Sequence, residues 1–240
     1  MILGDLFKKI IKKILSLGGY EIKPKAKKPP SPIHLWDNDR DFNIIYDNIS
    51  KFTIASKQRC YVIYQFLKQC SSVSGEIAEI GVFKGGTAYL INKVLIDTNK
   101  TIYLFDTFSG SPKADHEKDP FYYENEGMFS DTSLDSINKM FSNQKNVIIT
   151  EGEFPKTSNI IQEKYFSFVH IDVDIYKSIM ECCLFFYNRM NVGGILLFDD
   201  YGDLSCPGAK EAVDEFFSDK LENPIYLPTG QSFIIKVNKK

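Results

Sequence analysis

Four aspartates, each placed just after an apolar segment, are the residues of this sequence best suited to chemistry. Asp172 and Asp174 end one apolar segment, and Asp199 and Asp200 end the next. A helix-like segment and a pair of glycines separate the two, which is typical of a βαβ unit with parallel, buried strands. Because parallel neighbours present their carboxyl ends at one edge of the sheet, we expect the four carboxylates to converge there. A hard divalent cation with oxygen ligands is the simplest compensation for that much buried negative charge.

A glycine-rich turn follows an earlier apolar segment and precedes a helix-like one. Gly81, Gly85 and Gly86 form this turn. Glycines allow backbone N–H groups to approach a ligand closely, and the N-terminus of the following helix favours negative charge. The spacing is neither the dinucleotide pattern G-x-G-x-x-G nor a P-loop. Since Glu79 would repel a phosphate held there, a cofactor with both a cation and a carboxylate suits the turn better; a plain strand-to-helix turn is the alternative.

Further acidic residues follow the next two predicted strands. Asp106 comes directly after the predicted strand 101–105, where nucleoside-binding α/β folds hold ribose hydroxyls. This position alone does not separate NAD from S-adenosylmethionine. Glu151 and Gly152 follow the third predicted strand in the same way. Asp131 precedes a predicted helix, so helix capping and a cofactor contact are both open for it.

The order of the segments predicts an α/β fold. Predicted strands occupy residues 76–80, 101–105, 147–150, 165–173 and 195–198, and helix-like segments lie between them. Two more apolar segments, 225–227 and 232–237, are joined by a turn that contains proline and glycine, and they predict an antiparallel pair. Five parallel strands followed by such a pair describe a Rossmann-like class I methyltransferase sheet better than a dehydrogenase sheet.

Three regions are expected along the chain. Residues 1–32 predict a basic amphipathic helix and a linker, residues 33–74 a helical cap segment, and residues 75–240 the α/β domain with the methyltransferase-like sheet. Within the last region, residues 113–128 are polar and aromatic without a period, which predicts a mobile loop over the site.

The amino-acid composition limits the compartment and the partners. Charged residues are 25% of the chain, hydrophobic residues 43%, and the formal net charge is −2, as in ordinary soluble globular proteins. This charge gives no global reason to expect a nucleic acid partner. Five cysteines without paired metal spacing fit reduced thiols, and no apolar segment is long enough to span a bilayer. A cytoplasmic protein is therefore expected.

The N-terminal 17 residues predict a basic amphipathic helix, with four lysines between residues 8 and 13 among apolar residues at helical spacing. A signal peptide would have an unbroken apolar centre and a small-residue cleavage site instead. We expect the helix to dock on its own domain or on a partner subunit, as in a homodimer, or to lie on an anionic membrane surface. Partial disorder is the third interpretation. The lysine- and proline-rich residues 23–32 predict a linker.

Six motifs of the sequence resemble those of one known family. They are EIGVFKGGTA, FDTFSGSP, FSDTSLDSI, HIDVDIYKS, GGILLFDDYG and AVDEF. The region that contains them, from Thr53 to the C-terminus, resembles the macrocin O-methyltransferase-like family, whose members are S-adenosylmethionine- and magnesium-dependent enzymes that methylate sugar hydroxyls. The resemblance implies a small-molecule sugar or glycoside as the acceptor.

The resemblance also implies roles for single residues at the matching positions. The methionine end of S-adenosylmethionine would be lined by Glu79, Gly81, Gly85, Gly86 and Thr87. The ribose would be held by Asp106, Thr107 and Phe108, and the adenine surrounded by Asp131, Glu151 and Gly152. Thr53, ahead of the first strand, would be a further cofactor contact. The Mg²⁺ ligands would be Asp172, Asp199 and Asp200, and the general base Asp174.

Several alternatives stay open at the level of sequence. A metal could equally chelate two adjacent phenolic oxygens, so a small catechol or another non-sugar natural product is the alternative acceptor. A nicotinamide-dependent dehydrogenase, a non-catalytic subunit that retains the cofactor fold, and aspartates that are merely solvated strand ends are the rival interpretations. His170, inside a predicted strand, is expected to be a core histidine with satisfied hydrogen bonds. Stacking on a sugar is open for Trp36 and for Tyr122 or Tyr123.

Overall fold

The computed structural model describes residues 11, 13, 15–18 and 34–238, and the chain divides into two units, residues 1–34 and 35–240. In the first unit, the described residues 11, 13 and 15–17 are helical. This agrees with the predicted amphipathic helix at those positions. The remainder of that helix and the predicted linker lie outside the described residues.

The second unit is organised around one sheet. Its described strands are β1 (Glu76–Ile80), β2 (Ile102–Asp106), β3 (Val147–Glu151), β4 (Phe166–Ile171), β5 (Met190–Phe198), β6 (Ile225–Tyr226) and β7 (Ser232–Ile235). The order is β3-β2-β1-β4-β5-β7-β6. Strands β1 to β5 are mutually parallel, whereas β7 is antiparallel to both β5 and β6. The predicted Rossmann-like class I methyltransferase sheet, mostly parallel with a C-terminal antiparallel pair, is confirmed.

Helices cover both faces of the sheet. They are α1 (Leu35–Asn38), α2 (Arg40–Ile49), α3 (Lys57–Cys70), α4 (Gly86–Val94), α5 (Pro120–Glu124), α6 (Leu134–Met140), α7 (Tyr176–Phe186) and α8 (Pro207–Phe217). Ile77 and Phe168 point into the core that contains α3 and α4. Their chain neighbours Ala78 and Val169 point into the core that contains α7 and α8. Because both faces are buried, the strands read as continuous apolar segments in the sequence.

Local hydrogen bonds fix where several helices begin. The side chain of Ser56 accepts from the backbone N–H of Arg59 and caps α3, which therefore begins at Lys57. The side chain of Ser133 caps α6 by accepting from the N–H of Ser136. The helix cap that the sequence left open for Asp131 is therefore supplied by Ser133.

Strand β5 is longer than the predicted segment 195–198, because Gly193 and Gly194 belong to the strand and do not break it. The N–H of Gly193 donates to the carbonyl of Lys236 at 2.8 Å, and the N–H of Lys236 donates to the carbonyl of Gly194 at 2.8 Å. The antiparallel neighbour thus keeps the glycine pair in the ladder, which the sequence of β5 alone does not reveal.

Residues 113–128, predicted as a loop without regular structure, contain α5 and are anchored by a buried acid. Asp119 is fully buried, and both of its carboxylate oxygens accept from the N–H of Tyr176, the first residue of α7. A Cβ at Gly208 in α8 would lie 2.0 Å from Asp119 Oδ1, so glycine is required where the acid fits. Five-residue helices leave no readable period in the sequence, and a capping contact of this kind has no local signal.

None of the described helices is long and apolar enough to cross a membrane.

Gly81, which directly follows β1, lies close to the backbone of Asp172 and supplies a test of the packing. A Cβ there would lie 1.8 Å from the carbonyl oxygen of Asp172, and the residue has φ +89°. We expect Gly81→Ala to lower the free energy of unfolding by about 3 kcal/mol or more, measured by urea denaturation. Gly127→Ala is the matched control, because Gly127 has φ +77° with nothing within 4 Å of its Cβ position. It should cost about 1 kcal/mol, and equal costs for the two variants would contradict the steric argument.

Candidate active site

A cavity of about 420 Å³ opens at the carboxyl ends of β1, β2, β4 and β5. The predicted site residues that line it are Thr53, Gly81, Thr87, Asp106, Thr107, Gly152, Asp172, Asp174, Asp199 and Asp200. The predicted site residues outside its lining are Glu79, Gly85, Gly86, Phe108, Asp131 and Glu151. The edge of the sheet that the sequence singled out is therefore the edge where the cavity forms.

Four aspartates, here called the acid cluster (Asp172, Asp174, Asp199 and Asp200), share one wall of the cavity. Asp199 and Asp200 are 2% and 4% exposed. The backbone N–H of Asp174, which has φ +61°, donates to Asp200 Oδ2 at 3.1 Å. In detail, the possible ligand atoms form two groups: Asp172 groups with Asp199 and His170, and Asp200 with Asp174 and Cys206. The three predicted metal ligands are thus close neighbours but not one group.

Burial and mutual repulsion shift the protonation of the acid cluster. Burial, followed by the charges of the other carboxylates, raises the pKa of Asp172 and Asp200 well above the usual value. Burial also raises the pKa of Asp174 to about 6. For Asp199, burial raises the pKa, yet the hydrogen bond and charge of His170 and the charge of Arg59 bring it below the usual value. The carboxyl of Asp199 is thus held ionised. The other three carboxyls have too little positive charge nearby to offset the effect of burial on their pKa values.

Three partners hold the carboxylate of Asp199. Arg59 Nη1 donates to Oδ2 at 2.7 Å, Gln231 Nε2 donates to Oδ1 at 2.7 Å, and His170 Nε2 lies 3.3 Å from Oδ1. Sequence reasoning missed Arg59 and Gln231. Arg59 lies on α3, 140 positions before Asp199, and Gln231 precedes β7. No local motif connects either of them to the acid.

A buried hydrogen bond connects β4 to β1 beneath the cavity. His170 Nδ1 lies 2.9 Å from Glu79 Oε1, and both side chains are fully buried. His170 is thus a core histidine with both ring nitrogens in hydrogen-bond contact, as predicted. Glu79 Oε2, by contrast, is buried without a hydrogen-bond partner among the described residues. Burial raises the pKa of Glu79 although His170 lowers it. An unpaired buried acceptor of this kind favours a cationic group of a ligand.

The glycine-rich turn is fixed by Asp106 from the end of β2. Asp106 Oδ2 accepts from the N–H groups of Val82 and Phe83 at 2.7 and 2.8 Å, and Oδ1 accepts from Phe108 at 2.7 Å. Gly86 is also needed for packing, because a Cβ there would lie 2.7 Å from that of Thr53. The sequence assigned these glycines to a ligand, but the structure shows that internal contacts already require them.

Tyr122, on α5, contacts the predicted general base. Its hydroxyl donates to Asp174 Oδ1 at 2.6 Å, and the residue is 4% exposed. Cys206 Sγ lies 3.8 Å from the same oxygen. Burial and the neighbouring Asp174 raise the pKa of Tyr122, which keeps the phenol protonated. The sequence proposed Tyr122 only for stacking, and its bond to Asp174 has no sequence signal.

The remaining predicted residues have other surroundings. Asp131 pairs with Lys84 and is 69% exposed at its side chain, beside a second depression and not in the cavity. Glu151 is exposed at the end of β3. Tyr123 is 45% exposed and makes an edge contact with His116. Trp36 makes an edge contact with Tyr61 at 6.1 Å between ring centroids. Their roles toward a cofactor or sugar stay predictions.

Solved methyltransferases have the same sheet. The structure of the O-methyltransferase NovP superposes with a TM-score of 0.68 at 22% identity, over 78% of this chain and 83% of that one. The calicheamicin methyltransferase CalS11 superposes with a TM-score of 0.65 at 15% identity, over 90% of this chain and 97% of that one. The chain therefore has the Rossmann-like methyltransferase fold.

Sequence comparison narrows this class to one family. The model of the family described as Macrocin-O-methyltransferase (TylF) matches residues 49–227, and the chain belongs to that family. Demethyldecarbamoylnovobiocin O-methyltransferase of Streptomyces niveus is 26% identical over 169 residues, 62% of this chain and 63% of that protein. A rhamnosyl-tetracenomycin-C 4′-O-methyltransferase of Streptomyces olivaceus is 24% identical over 156 residues, 60% of this chain and 58% of that protein. The alignments thus span less than two thirds of each relative.

The chemistry of the acid cluster fits a divalent cation. Five buried or half-buried carboxyls, counting Glu79 with the acid cluster, adjoin one guanidinium and one imidazole, and both of these bond to Asp199. Asp172 makes no side-chain hydrogen bond to any residue that the structure describes. Oxygen-rich sites with uncompensated negative charge are those that hard cations occupy.

Asp106 supplies the first prediction for the site, because it holds the turn even without a ligand. Asp106→Asn loses one acceptor oxygen for three backbone donors, and we expect the free energy of unfolding to fall by about 1–2 kcal/mol in urea denaturation without ligand. Glu151→Gln is the matched control at the paired position of β3; it should stay within about 0.5 kcal/mol of the wild type. An unchanged Asp106→Asn protein would show that the turn does not depend on this carboxylate.

The raised pKa of Asp174 predicts how the free energy of unfolding depends on pH in the metal-free protein. Because its pKa is raised from 3.8 to about 6, the native state binds the proton more tightly than the unfolded state. The stabilisation is complete below about pH 4 and is lost as the pH rises through about 6. Between pH 4 and 7 this group should lower the free energy of unfolding by about 1–3 kcal/mol. Asp174→Asn should lack that component in urea denaturation with EDTA; a difference from wild type that is constant over this range would contradict it.

Proposed function

We propose that this protein is an O-methyltransferase that moves the methyl group of S-adenosylmethionine to a hydroxyl of a sugar or glycoside, with Mg²⁺ at the acid cluster. The observation that carries the proposal is the convergence of the acid cluster on one cavity in a chain of this family. The relative from Streptomyces olivaceus is named for a rhamnosyl-tetracenomycin acceptor. This name supports a sugar hydroxyl as the methylated group.

Asp172, Asp199 and Asp200 would hold the metal ion. When bound, Mg²⁺ lowers the pKa of a coordinated hydroxyl and helps to orient it. Asp199 brings a carboxylate that Arg59 and His170 keep ionised. The backbone N–H of Asp174 donates to Asp200 Oδ2, and this hydrogen bond joins the acidic residues that follow β4 to those that follow β5. Asp199 is therefore ionised before an ion binds, whereas Asp172 and Asp200, whose pKa values burial raises, would release protons as the ion binds.

Asp174 would remove the acceptor proton. Tyr122 donates to Oδ1 of this carboxylate, so Oδ2 would be the oxygen that takes the proton of the acceptor hydroxyl when the methyl group is transferred from sulfur to that oxygen. A carboxylate is a weak base toward a free alcohol, and a bound Mg²⁺ would supply the lowering of the hydroxyl pKa that this proton transfer needs. Burial helps, because it raises the pKa of Asp174 toward neutrality.

The cofactor would lie along the ends of β1 and β2. Glu79 does not line the cavity, but its Oε2, buried without a hydrogen-bond partner among the described residues, would suit the cationic amino group of the methionine part. Gly81, Thr87, Asp106 and Thr107 line the cavity beside it. Gly85 and Gly86 belong to the glycine-rich turn and are closely packed there. The N–H of Phe108 donates to Asp106, which holds this turn. Contacts of Thr53, Gly152, Asp131 and Glu151 with the cofactor belong to the proposal as predictions from the family.

The experiment that tests this function is mass spectrometry of acceptors. The purified protein is incubated with S-adenosylmethionine and Mg²⁺ and with a panel of glycosides, nucleotide sugars and catechols. Methylation of a sugar hydroxyl that stops with EDTA is the expected result. Methylation of a catechol alone would replace the proposed acceptor with the alternative one, and metal-independent methylation would refute the role of the acid cluster.

Asp174→Asn separates the base from the cofactor site. We expect turnover to fall by about 10²- to 10⁴-fold, while the dissociation constant of S-adenosylmethionine, measured by calorimetry, stays near that of the wild type. Asp214→Asn is the control, since Asp214 bonds to Tyr201 on the protein surface. Equal turnover of the Asp174→Asn protein would rule out this residue as the base.

A further inference from the structure

Arg59 is the one cationic residue among those that line the cavity in the described part of the chain. Its side chain is 19% exposed, and Nη1 donates to Asp199 Oδ2 at 2.7 Å. The same guanidinium donates through Nε to the carbonyl of Thr229 at 3.2 Å. Nη2 lies 3.7 Å from Asp203 Oδ2. The arginine thus joins the cap helix α3 to the wall that holds the acid cluster.

The turn between β6 and β7 is shaped around this ion pair. Gly230 has φ +93°, and a Cβ there would lie 3.0 Å from Arg59 Nη2. Thr229 donates through Oγ1 to Gln231 Oε1 at 2.9 Å, and Gln231 in turn donates to Asp199 Oδ1 at 2.7 Å. Two neighbouring residues of one turn therefore orient the arginine and its carboxylate partner. A chance surface pair would not have such support.

We propose that Arg59 is the counter-charge of Asp199 in the metal-free protein, and that a divalent cation at the acid cluster competes with its guanidinium for that carboxylate. A guanidinium and a dication placed against one buried carboxylate repel each other strongly, because little water screens them. Binding of the metal is therefore coupled to weakening of the Arg59–Asp199 pair. The coupling rests on the proposed metal site.

Removal of the guanidinium should consequently strengthen metal binding. Mg²⁺ alone is titrated into the full-length, EDTA-treated protein by calorimetry. We expect Arg59→Gln to bind Mg²⁺ about tenfold more tightly than the wild type, from the lost repulsion. Arg59→Lys keeps the charge and should stay within about threefold of the wild type. Lys57→Gln is the matched control, since Lys57 is a cation of the same helix that pairs with Asp37 and does not line the cavity.

The Mg²⁺ dissociation constants of the variants decide whether Arg59 competes with the metal. Weaker or unchanged binding by Arg59→Gln would overturn it and would make Arg59 a residue that only orients Asp199. Tighter binding by the Lys57→Gln control as well would also overturn it, because a general charge effect would then explain the result. Absence of Mg²⁺ binding by the wild type would remove the metal site and the competition together, whereas binding that Arg59→Gln leaves unchanged removes the competition alone.

A second measurement uses the wild type and does not depend on the folding of Arg59→Gln. The Nε–H signal of Arg59 is assigned in a nitrogen–proton spectrum by its absence from Arg59→Lys. Saturation with Mg²⁺ should shift this signal, because the guanidinium loses part of its Nη1 bond to Asp199 while Nε keeps its bond to the carbonyl of Thr229. A signal that does not respond to Mg²⁺ would overturn the proposal.

Discussion

Burial of acidic groups at the carboxyl edge of the sheet is the constraint on which the rest of this structure depends. Along β1, β4 and β5, hydrogen bonds connect Glu79, His170, Asp199 and Arg59 in one line across the strands. In this row of hydrogen bonds, His170 and Arg59 compensate the negative charge of Asp199. The carboxyls of Asp172, Asp174 and Asp200 form no ion pair with a cation among the described residues, and their raised pKa values express that deficit. A protein does not bury such a group for stability, because unpaired charge is costly inside a fold.

The sheet and its acid edge could be predicted because both leave local signals. Parallel strands buried on both faces are continuous apolar segments, and the aspartates stand directly at their ends. The partners of those aspartates could not be predicted. Arg59, Tyr122 and Gln231 reach the site from a cap helix, a short helix and a turn, and only the folded chain brings them near. Glycine spacing was also ambiguous: Gly81 is required by the carbonyl of Asp172, a contact that no motif encodes.

The segment over the site makes contacts that the absence of a period in its sequence does not reveal. Residues 113–128 carry only the five-residue helix α5. Asp119 nevertheless caps α7, directly after the acid cluster residue Asp174, and Tyr122 bonds to Asp174 itself. The segment therefore contacts the proposed base directly. Asp119 and Tyr122 make these contacts through side-chain hydrogen bonds to residues distant in the chain. Such bonds depend on the tertiary fold and leave no pattern in the local sequence.

The central claim is that the acid cluster holds a divalent cation beside the cofactor cavity. The most direct measurement is anomalous X-ray diffraction from crystals grown with Mn²⁺ and S-adenosylhomocysteine. The account predicts an anomalous peak within coordination distance of carboxylate oxygens of Asp172, Asp199 and Asp200. A peak elsewhere, or an acid cluster without a peak while S-adenosylhomocysteine occupies the cavity, would contradict it.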